Sequence, residues 1–489
     1  MKGKLTILFI MLFSLKMGIT QTKNVKIIGK APGFQNERII LFTYSDLVSF
    51  HEKVLAEGSI DHNGNFKIEA RVNETTYTFL KIINVQASLY LEPGKEYRIS
   101  LIPKDELTGG HESRLYAAFP IETVPMFNEK DSNDLNMLIQ DFNYLYNVFL
   151  YTNINQLLGG RKKDLVDSAK TANQAHFSKY NIAYLTNYID YRFAALEMMQ
   201  QIGGKETLAS KYFSDKPILY NNIEYMAFFN DYFKNYFSLG LALKYNQDVI
   251  NAINKEKSYA SLIRIMRSDS VIIDNAELRE LVLLKGLYEI YNRPGYEKEG
   301  IKEILTFVRD KGQIPEHKPI AASMLDKLTR FERGMKPKDF SLVGFDNTSV
   351  SLENYKGKFV YLLFWASWCT PCLSELSLMQ TFHETYSDYF AFIGIMTDGN
   401  EASMRRIASI YGYTFPLLNA AKKPEIADNF GVISHPTGVL IDPDGNFIDN
   451  PARLPSRNLE ALIRYAYILK KENEASKTPN TFNKLWKDP

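Results

Sequence analysis

Two cysteines occur in 489 residues, and they stand three positions apart as Cys369 and Cys372. The run Trp368-Cys369-Thr370-Pro371-Cys372 lies where an apolar strand pattern, Phe359–Ala366, gives way to a helical one. In a first helical turn, cysteines at this spacing bring their sulfurs within disulfide reach. The first sulfur is expected to be exposed and to face the positive end of the helix, with its unpaired N–H groups. Both effects favour thiolate over thiol. Pro371 costs little there, because first-turn amides have no helical acceptor. The chemistry expected is thiol–disulfide exchange: Cys369 attacks, a mixed disulfide forms, and Cys372 resolves it.

Other uses of the pair fit less well. Zinc would require two more ligands, and the seven histidines show no paired metal-site spacing, so no metal is expected. Covalent haem attachment needs histidine directly after the second cysteine, where Leu373 stands. An inert pair of buried thiols stays open, although a helix start is a poor place for one. A second element, Ser434-His435-Pro436-Thr437, precedes the strand pattern Gly438–Ile441. Taken alone, its proline reads as a sheet-edge residue.

Together these segments resemble a known family. Phe364-Trp365-Ala366-Ser367-Trp368-Cys369-Thr370-Pro371-Cys372 is similar to the active site of the thioredoxin superfamily. Pro436-Thr437, with Leu440-Ile441-Asp442 and Asp444-Gly445, resembles its cis-proline loop and following hairpin. Within the superfamily the match is to the TlpA/ResA type of envelope thiol–disulfide oxidoreductase, over roughly residues 334–471. Pro337-Lys338-Asp339-Phe340-Ser341-Leu342 resembles its leading strand, and Tyr355-Lys356-Gly357-Lys358 the approach to its central strand. Glu375 matches its acidic residue after the second cysteine.

The resemblance implies a cis peptide before Pro436 and a substrate groove made by Trp368, His435, Pro436 and Thr437 beside the sulfurs. It implies a redox disulfide Cys369–Cys372 in place of any bound cofactor. Ordinary thioredoxin carries a buried Asp on the central strand, where Leu363 stands here. Glu375 is therefore the candidate for proton handling near Cys372, its plainer role being a carboxylate favoured by the helix dipole. His435 also departs from the family, which commonly has a small or β-branched residue before the proline. Set against the sulfurs, its imidazolium and a thiolate would stabilise each other.

The elements that must position this site come in three blocks. Alternating runs at Val25–Ile28, Arg38–Phe42, Lys53–Leu55, Phe66–Ile68, Tyr77–Ile82, Ser88–Leu91 and Tyr97–Leu101 predict a β-sandwich over residues 21–110. Asp61-His62-Asn63-Gly64-Asn65 reads as a hairpin turn within it. Residues 120–333 read as an all-α domain. Its clearest feature is the stripe Tyr225, Phe228, Phe229, Tyr232, Phe233, Tyr236 and Phe237, at helical spacing through three turns. The stripe is expected to be core or a dimer face, and a homodimer through the helical region follows if it faces outward. Residues 334–475 read as an α/β thioredoxin-like domain: a hairpin at Phe340–Phe345 and Ser349–Leu352, then strands alternating with helices around a mixed sheet. A polar tail, 476–489, ends the chain.

Lys2 and Lys4, followed by the apolar run Leu5–Leu15, predict a secretory signal peptide over residues 1–20, cleaved on export to the periplasm or cell envelope. The run is shorter than the roughly 20 residues a spanning helix needs. With 58 basic and 56 acidic residues the net charge is +2, so no basic excess points to nucleic acid. The expected activity is exchange with protein thiols and disulfides. Thr-Pro between the cysteines is close to the reducing Gly-Pro type, so a reductase is expected. A reductase in an oxidising compartment implies a membrane electron donor, and the family suggests a part in cytochrome c maturation. The rival expectation is an envelope binding or assembly protein whose first 300 or so residues do the work.

Overall fold

The computed structural model describes residues 22–109, 120–128, 131, 133–240, 242–344, 346–399 and 401–476. The expected signal peptide and the tail beyond Ser476 lie outside the described residues. Among the described residues no helix is long and apolar enough to cross a membrane.

Alternation of apolar and polar residues builds the first unit. Strand β4 (Asn65–Val72) shows the cause: Phe66, Ile68, Ala70 and Val72 are buried, while Lys67, Glu69 and Arg71 between them are exposed. With it come β1 (Lys23–Lys30), β2 (Arg38–Tyr44), β3 (Glu52–Ser59), β5 (Thr76–Ile82), β6 (Val85–Leu91) and β7 (Glu96–Ser100). All seven predicted strands are present, each with somewhat different ends. Two short ones, β8 (Ile121–Thr123) and β9 (Met126–Phe127), carry the sheet unit past the expected limit at residue 110. Strands of two or three residues leave no period to detect.

The strands form two sheets, ordered β4-β1-β7-β9 and β3-β2-β5-β6-β8. Val25, Ile27, Ile68 and Ile99 from one sheet share a single apolar cluster with Ile39, Leu41, Leu80 and Leu89 from the other. The Asp61–Asn65 turn forms as a turn: the Asp61 carboxylate accepts the amides of Asn63 and Asn65, each at 2.8 Å, and Gly64 has φ of +79°. It is not a ladder hairpin, however, because β3 and β4 pair in different sheets. Turn residues reveal where a chain reverses and not with what each arm then pairs.

Helices fill the chain from Leu135 to Thr329. Side chains of Asp134, Asn222, Ser258 and Asn275 accept amides at four of their starts. Every residue of the aromatic stripe is buried, in one cluster with Leu281, Leu284 and Leu287. The stripe is therefore core, and it offers no outer face to a second copy. Nor does one helix carry it: the helix Ile223–Tyr232 ends, Asn235 turns at φ +57°, and Tyr236–Gly240 continues in a π-helical segment.

In the third unit β10 (Leu342–Val343) and β11 (Ser349–Val350) make a shorter hairpin than expected. Strands β12 (Phe359–Trp365), β13 (Phe390–Met396), β14 (Leu417–Asn419), β15 (Thr437–Ile441) and β16 (Phe447–Ala452) form the mixed sheet, in the order β14-β13-β12-β15-β16. Strand β12 is parallel to β13 and antiparallel to β15. Its alternate residues Tyr361, Leu363 and Trp365 enter one apolar cluster, and Val360, Leu362 and Phe364 another. Burial on both faces is why this strand is apolar throughout. The helix Pro424–Asn429 and β14 were not legible in the sequence, being six and three residues long.

The three units touch. Asn136 exchanges two hydrogen bonds with the backbone of Tyr90, Arg38 pairs with Glu425 at 2.6 Å, and the linker amide of Gly334 donates to Phe447 O.

Candidate redox site

The end of the central strand sets the site. After Trp365 the chain turns through Ala366, Ser367 and Trp368, with the Cys369 amide donating to Ala366 O at 3.0 Å. Cys369 then caps the helix Thr370–Tyr386, its Sγ accepting the Cys372 amide at 3.2 Å, with Pro371 in the first turn. The sulfurs are bonded at 2.03 Å, with Cα atoms 5.2 Å apart. The helix-start geometry read from the sequence is thus present.

The expected exposure of Cys369 is not. Its residue is 4% exposed and Cys372 fully buried, both in the cluster with Leu363 and Leu376. Trp368 takes the outer position at 62% exposed, and Ile433, just before the second loop, is 90% exposed. A linear motif does not show which neighbouring loop folds over a sulfur.

That second loop lies opposite. The His435–Pro436 peptide is cis, and Thr437 opens β15, pairing with Phe364 of β12. The Thr437 hydroxyl donates to Ser434 O at 2.6 Å, so it closes its own loop. The His435 ring stands edge-on to Trp368, with centroids 6.2 Å apart. Glu375, one turn beyond Cys372, is buried and accepts both the amide and the hydroxyl of Ser456, at 2.9 and 2.5 Å. It lies past the first turn of its helix, which holds no acidic residue, so the plain helix-dipole role does not apply. Nearby, burial pushes the Tyr361 phenol up, and the Glu375 charge adds to the effect.

Residues 334–449 match the model of the AhpC/TSA family. The thioredoxin-like protein YneN of Bacillus subtilis is 34% identical over 117 residues, which cover 23% of this chain and 68% of that protein. The thiol-disulfide oxidoreductase ResA of Bacillus cereus is 31% identical over 123 residues, 25% of this chain and 70% of its own. The chain belongs to the thioredoxin-like thiol-disulfide oxidoreductases. A solved thiol:disulfide interchange protein of the thioredoxin family, from Chlorobium tepidum, is 28% identical, covering 28% of this chain and 97% of its own. Its TM-score is 0.25, too low to carry an argument.

In this oxidoreductase the imidazolium expected at His435 finds no support. Burial pushes the imidazole below its ordinary value, and the charge of Asp398 only partly offsets that. Its Nε2 lies 2.7 Å from the Thr397 hydroxyl. Three polar residues near the site, Thr397, Asp398 and Ser456, carry no mark in the sequence motifs. Asp398 holds the amide and hydroxyl of Ser367, and Ser456 holds Glu375. A signal for Asp398 existed: it follows a wholly apolar strand, β13, at the carboxyl end of a sheet, where α/β sites collect. Ser456 carried none.

Proposed function

We propose that the protein is an exported reductase of protein disulfides that works through Cys369 and Cys372. The Cys369 thiolate attacks a client disulfide and expels one client sulfur as thiolate. Cys372 then attacks the mixed disulfide at Cys369 Sγ and releases the second client thiol, leaving the protein oxidised. Two electrons pass to the client, and Glu375 takes the proton that Cys372 gives up. No cofactor beyond the cysteine pair is required.

The observation that carries this reading is the cap: Cys369 Sγ already accepts the Cys372 amide at a helix start, where a thiolate is stabilised. Trp368, His435, Pro436 and Thr437 form the client groove, and exposed Trp368 supplies its apolar contact. Export to the periplasm or envelope is supported by Lys2, Lys4 and the apolar run Leu5–Leu15. Recharging the pair there calls for a membrane electron donor, and apocytochrome c thiols are one client class by family analogy. We read the paired sheets as a β-sandwich that starts near residue 21 and takes in β8 and β9 beyond the expected limit at 110, supported by their shared cluster, ahead of a helical domain to residue 333 and the thioredoxin-like domain over 334–475. The test is dithiothreitol-driven insulin reduction. The full chain should catalyse it and Cys369→Ser should not; activity surviving in that variant contradicts the proposal.

A further inference from the structure

Asp398 sits just past β13 and is 4% exposed. Both its oxygens turn to Ser367: Oδ1 accepts the amide and Oδ2 the hydroxyl, each at 2.6 Å. Ser367 belongs to the turn that Cys369 closes onto Ala366. The preceding residue, Thr397, reaches the opposite wall. Its hydroxyl is 2.7 Å from His435 Nε2, and its amide donates to Trp365 O at 3.0 Å. Two consecutive residues thus tie the cysteine turn and the cis-proline loop to the end of one strand.

The electrostatics of this tie are lopsided. Among the described residues the donors to the Asp398 carboxylate are the amide and hydroxyl of Ser367, both uncharged. A titratable side chain that feels its charge is His435, whose imidazole burial holds towards the neutral form. Among the described residues Asp398 forms no ion pair, and it holds Ser367 two positions before Cys369. A negative charge held near a titrating thiol disfavours a second negative charge.

We propose that Asp398 is a positioning residue that sets the redox poise: it anchors the Ser367–Cys369 turn, and its charge opposes thiolate formation on Cys369, making the dithiol a stronger reductant. The proposal rests on Cys369 being the attacking thiol. In exchange with glutathione, two glutathione thiols give up two electrons to the Cys369–Cys372 bond and become one glutathione disulfide. Their two protons end on the two protein thiols, or one is released when Cys369 stays a thiolate. Opposing the thiolate removes stability from the reduced protein wherever pH exceeds the thiol midpoint.

The test is Asp398→Asn, which keeps an acceptor oxygen for Ser367 and removes the charge. In a Cys372→Ser background, thiolate absorbance across pH reads Cys369 alone. The expected result is a midpoint about one pH unit lower. With both cysteines present, the glutathione equilibrium should move about tenfold towards the dithiol at pH above that midpoint and little below it. Ser367→Ala cuts one bond but keeps the charge, so its midpoint should not fall. An unchanged or higher midpoint in Asp398→Asn overturns the proposal, and so does an equal fall in Ser367→Ala. If the Asn variant does not fold, Asp398→Ser is read the same way. Absence of insulin reduction by the unsubstituted protein counts against the reductase reading alone, since the titration does not depend on the direction of exchange.

Discussion

Ser456 donates both its amide, at 2.9 Å, and its hydroxyl, at 2.5 Å, to the carboxylate of Glu375. The two residues come from different elements, the 3-10 turn Pro455–Arg457 and the helix that begins after Cys369. A buried carboxylate with two donors is fixed in place, as a group that must meet one particular proton needs to be. If Glu375 takes the proton of Cys372, Glu375→Gln should slow insulin reduction roughly 10-fold to 100-fold and change its pH profile. Ser456→Ala removes the hydroxyl that holds this carboxylate, so it should slow insulin reduction as well, by a smaller factor. An unchanged rate in both variants would leave the pair a purely structural tie.

His435 gives a pH prediction with a definite sign. Burial lowers its imidazole below the ordinary 6.5, so the folded protein binds that proton less readily than the unfolded chain. The stability it contributes is complete above 6.5 and is lost as pH falls through the folded value. His51 and His383 are lowered by burial as well and act in the same direction. Denaturant unfolding should therefore show stability declining on acidification through this range. His435→Thr should make the decline shallower while leaving the Cys369 thiol midpoint in place, because a neutral ring exerts no charge. A steeper decline in the variant would contradict this account.

The aromatic stripe is core, and truncating it should behave accordingly. Phe228 is fully buried among Tyr191, Tyr212 and Phe213. Phe228→Ala should cost about 3–5 kcal/mol of stability, read by denaturant unfolding. The surviving folded protein should reduce insulin at the normal rate. Loss of insulin reduction without loss of stability would contradict a purely core role.

What the sequence displayed, and what it hid, divides along physical lines. Periods of two and of 3.6 survive in the residues themselves, so β4 and the stripe of Tyr225 to Phe237 were visible as strand and helix face. The redox turn was visible because Cys369, Pro371 and Cys372 are local. Long-range partners leave no such trace. Nothing near Ser456 announced Glu375, and nothing in the Asp61–Asn65 turn showed that β3 and β4 would part into different sheets. The protonation of His435 is hidden in the same way, because it depends on burial beside Trp368 and Thr397 rather than on distance along the chain from a cysteine.

Gly438 tests the packing beneath the site. It pairs with Leu363 on β12, and a Cβ there would collide with the Tyr361 hydroxyl and stand 3.2 Å from Ala452 O. Gly438→Ala should destabilise the protein by about 1–3 kcal/mol. Combining it with Tyr361→Phe, which removes the colliding oxygen, should recover part of the loss even though the bond to Arg453 O goes too. Additive losses in a double-mutant cycle would contradict the collision.

The central claim is that Cys369 attacks and Cys372 resolves, and mixed-disulfide trapping tests it most directly. In Cys372→Ser the resolving thiol is gone, so client proteins should accumulate on Cys369 as adducts that a reductant releases. Cys369→Ser should accumulate none, because the fully buried Cys372 cannot reach a client. Trapping by both variants alike, or by Cys369→Ser alone, would contradict the account.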